Sequence, residues 1–550
     1  MALSDSLAAT IKGEVDVTPE TLEAASKDAS LFRVVPAVVV RPDGVGDVEA
    51  LVKLASEENK RGGNVSLTAR AAGTDMSGGP LTESIVVDML AHFNRVLEVG
   101  RDYAVVEPGV YFRDFDKETK KKNLELPSYT ASREICTVGG MVANNSGGEK
   151  NLKYGKTARY VQELDVVLSD GKVHTLKNLE GDDLKKKLKE IGFEGDLYRA
   201  ISELVSTNQE IIQKHAPHVE KNSSGFALWD IGDGKNKLDL ARLMVGSQGS
   251  IGIITKIRFG LVHPKPYSAM TVMFVRDIAE LGPLVPKVLE YKPDSFESYD
   301  DNTFKLAVKY FPEFALQMKT GIFGLGVAFL PEMWLLATGG VPKLVLMAEF
   351  CSDSQQEATD MAEKLATEIR KSNRNISVRV AKDERSARKY WTVRRESFNL
   401  LRKKVRGQRT APFIDDFVVP PKTLSDFLPK LKKILDQYAL TYTVAGHVGD
   451  GNFHIIPLID PNDPQMTEII GELEKKVYDL VLSFQGSLSG EHNDGLVRTP
   501  FVRQMFGPEM YALFEKTEKI FDPLDIFNPG KKVGTTFAEE ASKLDFPHHA

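Results

Sequence analysis

The run Thr137-Val138-Gly139-Gly140-Met141-Val142-Ala143-Asn144-Asn145-Ser146-Gly147-Gly148 decides how this chain is read. Residues this small let backbone N–H groups come close to an anion. Two further loops share the character. Ser66-Leu67-Thr68-Ala69-Arg70-Ala71-Ala72-Gly73-Thr74-Asp75 follows a strand-like stretch, and Gly246-Ser247-Gln248-Gly249-Ser250-Ile251-Gly252-Ile253-Ile254-Thr255 comes later. Each alone reads as an ordinary turn. Three such loops in one mixed α and β region have the spacing needed to cradle one long ligand from several sides. Neither Gly-x-Gly-x-x-Gly nor Gly-x-x-x-x-Gly-Lys-Ser/Thr occurs, so a Rossmann site and a P-loop are unsupported.

Near the C-terminal end stand two more glycine-rich segments, Gly446-His447-Val448-Gly449-Asp450-Gly451-Asn452-Phe453-His454 and Gly486-Ser487-Leu488-Ser489-Gly490-Glu491-His492-Asn493-Asp494-Gly495. They hold three of the ten histidines. Gly449 and Gly451 argue against a helix and for a strand, turn and strand that points both imidazoles inward. Two imidazoles and a carboxylate suit a borderline divalent metal, and a further histidine beside it could move protons. Two buried, hydrogen-bonded histidines would produce the same pattern.

The 550 residues suggest more than one domain. Hydrophobic residues make up 42% and charged residues 27%, ordinary values for a globular protein. A net charge of -6 argues against nucleic-acid binding as the main task. Cys136 and Cys351 are too few for an iron–sulfur cluster and give no disulfide framework, which fits a reducing compartment. Residues 1–30 carry no signal-peptide pattern, so a cytoplasmic place is expected. The run Ile322–Thr338 is shorter than a span of about 20 residues and contains Pro331 and Glu332. It reads as a buried or capping segment. The sharper alternative is a surface around Phe329 and Trp334 that docks on a partner or on the inner face of a membrane.

Along the chain, Ala37–Val40, Ser84–Asp88 and Tyr103–Gly109, the last stopped by its Pro-Gly, read as short strands, and Asp47 as the cap of a helix over 48–58. Leu164–Val173 reads as a hairpin turning at Asp170-Gly171, and residues 180–191 as a solvated helix. Further on, Lys343–Phe350 predicts a central strand, 356–371 and 385–402 helices, and Phe413–Val419 a strand. The end, Phe521-Asp522-Pro523 and Phe527-Asn528-Pro529-Gly530, is rich in turns. The expected division is an N-terminal extension (1–30), a first domain (31–266), a second (267–485) and a closing segment (486–550).

The loops, in this order, resemble the FAD-binding domain of the vanillyl-alcohol oxidase and p-cresol methylhydroxylase type. The His-x-Gly-Asp-Gly-Asn-x-His and Gly-Glu-His segments resemble the C-terminal domain of FAD-linked oxidases, a group with D-lactate dehydrogenase, glycolate oxidase and D-2-hydroxyglutarate dehydrogenase. The resemblance covers about 35–535. It implies an α+β fold: a two-subdomain FAD-binding domain, a ferredoxin-like antiparallel-sheet cap domain for the substrate, and a C-terminal segment returning to the flavin. It assigns FAD to Arg70, Gly73, Thr74, Asp75, Gly139, Gly140, Asn144 and Gly148, with Ile253 and Asn528 near the flavin. It assigns a divalent metal (zinc, manganese or iron) to His447, His454 and Glu491, the role of general base to His492, and the substrate carboxylate to Arg394 in preference to Arg395. The implied reaction oxidises a D-2-hydroxy acid to the 2-oxo acid, with hydride passing to flavin N5.

Several departures from the family shape the expectation. The first loop has Ala71 and Ala72 where relatives carry glycines, which leaves its path open. The third loop has Gln248 in place of glutamate. No histidine lies between Phe32 and Ala91, so FAD is expected to be non-covalent. Ile414 and Ile456 stand where D-2-hydroxyglutarate-type enzymes place lysine and asparagine, which favours lactate or another small or apolar acid. With no internal iron–sulfur relay or nicotinamide site, the electron acceptor should be external: a quinone, a cytochrome, an electron-transfer flavoprotein or an iron–sulfur protein. The alternatives are a non-redox flavoenzyme resembling alkyl-dihydroxyacetonephosphate synthase and a non-catalytic subunit of a glycolate-oxidase-like complex. The oligomeric state is not readable from the sequence.

Overall fold

The computed structural model describes residues 3–303, 305, 341–404 and 407–547, and side chains within these except 396–404. Ile322–Thr338, with Phe329 and Trp334, lies outside the described residues. Three sheets organise the rest. The first is four-stranded, in the order Glu14–Asp16, Val38–Arg41, Ile85–Asp88, Leu67–Arg70, with the last three parallel. Residues expected as an extension therefore supply an edge strand, Glu14–Asp16, paired with Val38–Arg41. Val38–Val40 and Ile85–Val87 are buried on both faces, which is why they read as unbroken apolar runs. The helix beside them, Val45–Lys60, is capped by Gly44 and not by Asp47. Asp47 sits inside the first turn, where its carboxylate accepts from the backbone N–H groups of Asp43, Gly13 and Lys12 at 2.9, 2.8 and 3.0 Å. It thus serves the orphan donors of two segments at once.

The second sheet runs Val96–Val99, Tyr103–Val106, Ile253–Gly260, Val161–Val167, Val173–Glu180, Lys237–Asp239, with antiparallel neighbours. The hairpin turns at Gly171 with φ +68, a conformation open to glycine. One helix packed on this sheet's core, Gly495–Phe521, has no forecast in the sequence reading. Pro500 and Pro508 interrupt its pattern, and it kinks at Gly507 (φ +73).

The third sheet is antiparallel: Ser377–Ala381, Tyr267–Val275, Leu344–Ser352, Ser295–Asp300, Thr441–His447, Asn452–Ile459, Arg409–Thr410. Leu344–Ser352 is internal, as its uninterrupted apolar run predicts. Alternation sorts its neighbours. Met270, Val272 and Phe274 meet Tyr390, Trp391 and Val393 of the helix Glu384–Lys404. Ala269, Met273 and Val275 meet the helices Leu281–Leu289 and Gln355–Ser372 on the other face. Phe413–Val419 departs from expectation. Only Phe417–Val418 is strand, because Asp416 takes φ +69 and turns its carboxylate into the interior.

Candidate active site

The three small-residue loops line one open cleft. Arg70, Gly73, Thr74, Asp75, Gly139, Gly140 and Asn144 all face it. Ala71 and Ala72 cause no difficulty, since only Gly73 in that loop adopts positive φ, +66. The loops are tied to one another. Asp75 Oδ2 accepts from Ser77 N at 2.9 Å and Gly79 N at 2.8 Å, and its Oδ1 accepts from Asn144 Nδ2 at 2.5 Å. Gln248, itself at φ +52, donates to Ser77 Oγ at 3.2 Å.

Three expected cofactor residues do not line the cleft. Gly148 packs against the Tyr129 carbonyl, where a Cβ would lie 2.0 Å from that oxygen. Ile253 points into the core of the four-stranded sheet, and strand alternation gives the cleft Ile254 instead. Asn528 is buried behind the loops and braces them. Its Oδ1 accepts from Thr68 Oγ1 at 2.9 Å, and its Nδ2 donates to the carbonyls of Gly79 and Gln248 at 2.9 and 2.7 Å.

The histidine cluster opens into the same cleft, whose wall includes Glu491 and His492. His447 ends one strand and His454 lies on the next. The register Ala445↔His454, His447↔Asn452 puts both on one face. Gly451, at φ +70, lies in the hairpin turn, where the segment after Phe417–Val418 packs so closely that a Cβ would lie 1.8 Å from the Val419 carbonyl oxygen. Pairing of Ser298 with Gly446 brings Glu297 opposite His447 one step further on. The loop carrying Glu491 and His492 is gathered by Asp416, whose Oδ2 accepts from Glu491 N, His492 N and Ser489 Oγ at 2.9, 2.7 and 2.6 Å.

Two of the three imidazoles hydrogen-bond a carboxylate through Nδ1, and the third lies against one. His447 Nδ1 donates to Glu297 Oε1 at 2.7 Å and His454 Nδ1 to Asp415 Oδ1 at 3.1 Å, while His492 Nδ1 lies 2.8 Å from Asp415 Oδ2. Their Nε2 atoms then converge on a single oxygen. Glu491 Oε1 is 3.4 Å from His447, 3.4 Å from His454 and 3.8 Å from His492. With Nδ1 protonated, neutral rings would face that oxygen lone pair to lone pair, so the centre calls for positive charge. The field agrees. Burial disfavours a charged His454, yet Asp415 and Glu491 outweigh it and lift the ring to about 10. His492 is raised too, with burial opposed by Asp416 and Asp415. Glu491 is held well below the carboxylate range: burial works against its charge, but Lys221 and His447 prevail. Donor atoms of Asp416, His454, Glu491 and His492 also lie within 4.8 Å of one another. Asp416 is already committed to the backbone of the Glu491 loop.

Arg394 is nine-tenths buried, with Nε 2.7 Å from Glu297 Oε2. Arg395 pairs in a fork with Glu149, at 2.6 Å from each oxygen. Lys221 and Glu297 had no signal in the sequence. Lys221 is fully buried, with Nζ 2.7 Å from Glu491 Oε2 and 2.8 Å from Asn452 Oδ1. Its neighbours Glu220-Lys221-Asn222 look like an ordinary polar surface run.

Residues 36–177 match the FAD binding domain, and residues 265–532 match the FAD linked oxidases, C-terminal domain. The chain belongs to the FAD-linked oxidase family, carrying both of its domains. It is 26% identical over 525 residues to D-2-hydroxyglutarate dehydrogenase of Pseudomonas putida, which covers 94% of this chain and 50% of that protein. The chain therefore spans about half the length of that relative. Against D-lactate dehydrogenase of Archaeoglobus fulgidus it is 26% identical over 498 residues, covering 90% of this chain and 91% of that one. The solved structure of p-cresol methylhydroxylase with substrate bound superposes with a TM-score of 0.65 at 16% identity, covering 95% and 94% of the two chains. That likeness establishes the fold expected from the loops: the two-subdomain FAD-binding architecture with an antiparallel cap sheet. No helix among the described residues is long and apolar enough to cross a membrane.

Proposed function

We propose that this protein is an FAD- and divalent-metal-dependent dehydrogenase that oxidises a D-2-hydroxy acid, D-lactate or a similar small acid, to the 2-oxo acid. The observation that carries the reading is the convergence of three Nε2 atoms on Glu491 Oε1 at the edge of the FAD cleft. His447, His454 and Glu491 would hold the metal. The donor set of two imidazoles and one carboxylate accommodates zinc, manganese or iron and leaves a coordination position open. When bound, the metal would acidify the substrate hydroxyl and the flavin would accept the hydride.

The remaining work falls to the chain's own side chains. His492, with Nδ1 against Asp415, presents Nε2 to take the hydroxyl proton as general base. Arg394 is anchored through Nε and its Nη atoms form no hydrogen bond with a described residue, so it can fork onto the substrate carboxylate. Arg395 is spent on Glu149, and Ile414 and Ile456 are apolar and buried. These features favour a small monocarboxylate over a dicarboxylate. Residues up to 266, with the edge strand Glu14–Asp16, would form the FAD domain, 267–485 the cap, and 486–550 the segment that returns Glu491 and His492 to the flavin. FAD would be held without a covalent bond. The retention of the full set of site residues, each with a partner, speaks against a non-catalytic subunit.

Electrons would leave to an external quinone, cytochrome, electron-transfer flavoprotein or iron–sulfur protein, with the enzyme in the cytoplasm or at the inner face of its membrane. Steady-state assays test this reading. Turnover is expected with D-lactate and an artificial dye, with little NAD reduction and slow reaction with oxygen. Robust NAD reduction by the isolated chain would contradict it.

A further inference from the structure

Glu297 touches both halves of the site. Its Oε1 accepts from His447 Nδ1 at 2.7 Å, and its Oε2 accepts from Arg394 Nε at 2.7 Å. The side chain is 1% exposed, on an internal strand between Leu344–Ser352 and Thr441–His447. A carboxylate so buried is retained only when both oxygens are answered. Here one oxygen is answered by the cap hairpin and the other by the helix Glu384–Lys404. The two partners carry different tasks, metal ligation for His447 and carboxylate recognition for Arg394, on elements that touch through this group.

We infer that Glu297 is a positioning residue that locks the metal-facing histidine and the substrate-gripping arginine into one geometry, so that a 2-hydroxy acid meets its carboxylate partner and its hydroxyl partner at a fixed separation. This rests on the function proposed above. Both Glu297 oxygens are taken up by these two partners. It acts on the acid through Arg394 and on the metal through His447. A glutamine has one acceptor oxygen and would set its amide N–H groups against one of two donors. A single exchange should therefore disturb two functions that an ordinary packing residue would leave independent.

The test uses the full-length flavoprotein, Zn2+ and D-lactate. Glu297→Gln is expected to keep FAD at native stoichiometry and to bind Zn2+ about 10- to 100-fold more weakly in chelator competition without substrate, the usual scale for a lost partner behind a metal histidine. With Zn2+ saturating, KM for D-lactate should rise about 10-fold or more while kcat changes less, as for a lost charge-assisted bond. Arg394→Gln should raise KM similarly, and adding Glu297→Gln to it should raise KM by less than about 3-fold further, because both act on the acid through one guanidinium. If Glu297→Gln does not fold, Glu297→Asp, one methylene too short to span both donors, should lose either Zn2+ affinity or KM. Native Zn2+ affinity and KM in the variants, or KM effects that multiply, would overturn the inference while leaving the function intact. A wild-type protein that binds no Zn2+ and is not reduced by D-lactate would instead overturn the function on which it rests.

Discussion

Asp415 Oδ2 lies 2.8 Å from His492 Nδ1. The other oxygen of the same carboxylate accepts from His454, so one buried charge stands against the candidate base and a candidate metal ligand together. Burial opposes the charge on Asp415, but His492 and His454 hold it far below the carboxylate range, ionised at every working pH. Asp415→Asn would permit the wrong imidazole tautomer. Flavin reduction by D-lactate, followed by anaerobic rapid mixing, should slow by about 10²-fold or more with FAD still bound. His492→Ala should match it while keeping metal and FAD, and the double variant should be little worse than either. Multiplicative losses would separate the two residues.

Metal and flavin sites should fail separately. His447→Ala or Glu491→Ala should remove the metal, read by elemental analysis, and abolish turnover. The FAD loops lie elsewhere in sequence and keep their own hydrogen bonds, so the protein should stay yellow. Full activity in metal-free protein would end this account of the histidine cluster.

The first loop has no histidine, and the thiol of Cys136, which lines the cleft, is buried and pushed up by that burial, away from the reactive thiolate. Acid precipitation should therefore leave the yellow colour in the supernatant. Colour in the pellet would show a covalent bond.

A pH dependence follows from two carboxyls that do not line the cleft. Glu474, on the helix Met466–Ser483, shares a hydrogen bond with Glu540 of the C-terminal helix Phe537–Ser542. Burial lifts Glu540 from 4.5 to about 8, and burial together with the Glu540 charge lifts Glu474 well above its ordinary value. The folded state thus holds protons that the unfolded chain releases near 4.5. The pair's contribution to stability is complete below that pH and lost as pH rises through about 8. Glu540→Gln keeps a hydrogen bond without the titration. It should flatten the decline in Tm between about pH 5 and pH 8, measured by thermal unfolding. An unchanged slope would refute the assignment.

Much of this was legible because the relevant physics is local. Glycines at 449 and 451 declare a hairpin, Asp170-Gly171 declares a turn, and the apolar run at 344–350 declares an internal strand. What was not legible depends on partners distant in sequence. Glu297 stands 150 residues from His447 and Lys221 231 residues from Asn452, so neither carries a motif. Phe413–Val419 has strand composition, but the chain bends there to bring Asp415 and Asp416 to the histidine loop. The helix Gly495–Phe521 was hidden by its two prolines and Gly507. Ile253 missed the cleft by one residue, a parity set by the register of its strand with Val161–Val167.

The most direct test of the central claim is anaerobic addition of D-lactate to the purified, metal-loaded yellow protein. The flavin's visible absorbance should bleach, return when an artificial dye is added, and persist unbleached when the metal has first been stripped. Metal-loaded protein whose flavin stays oxidised with D-lactate and other small D-2-hydroxy acids, or stripped protein that bleaches as fast as loaded protein, would contradict it.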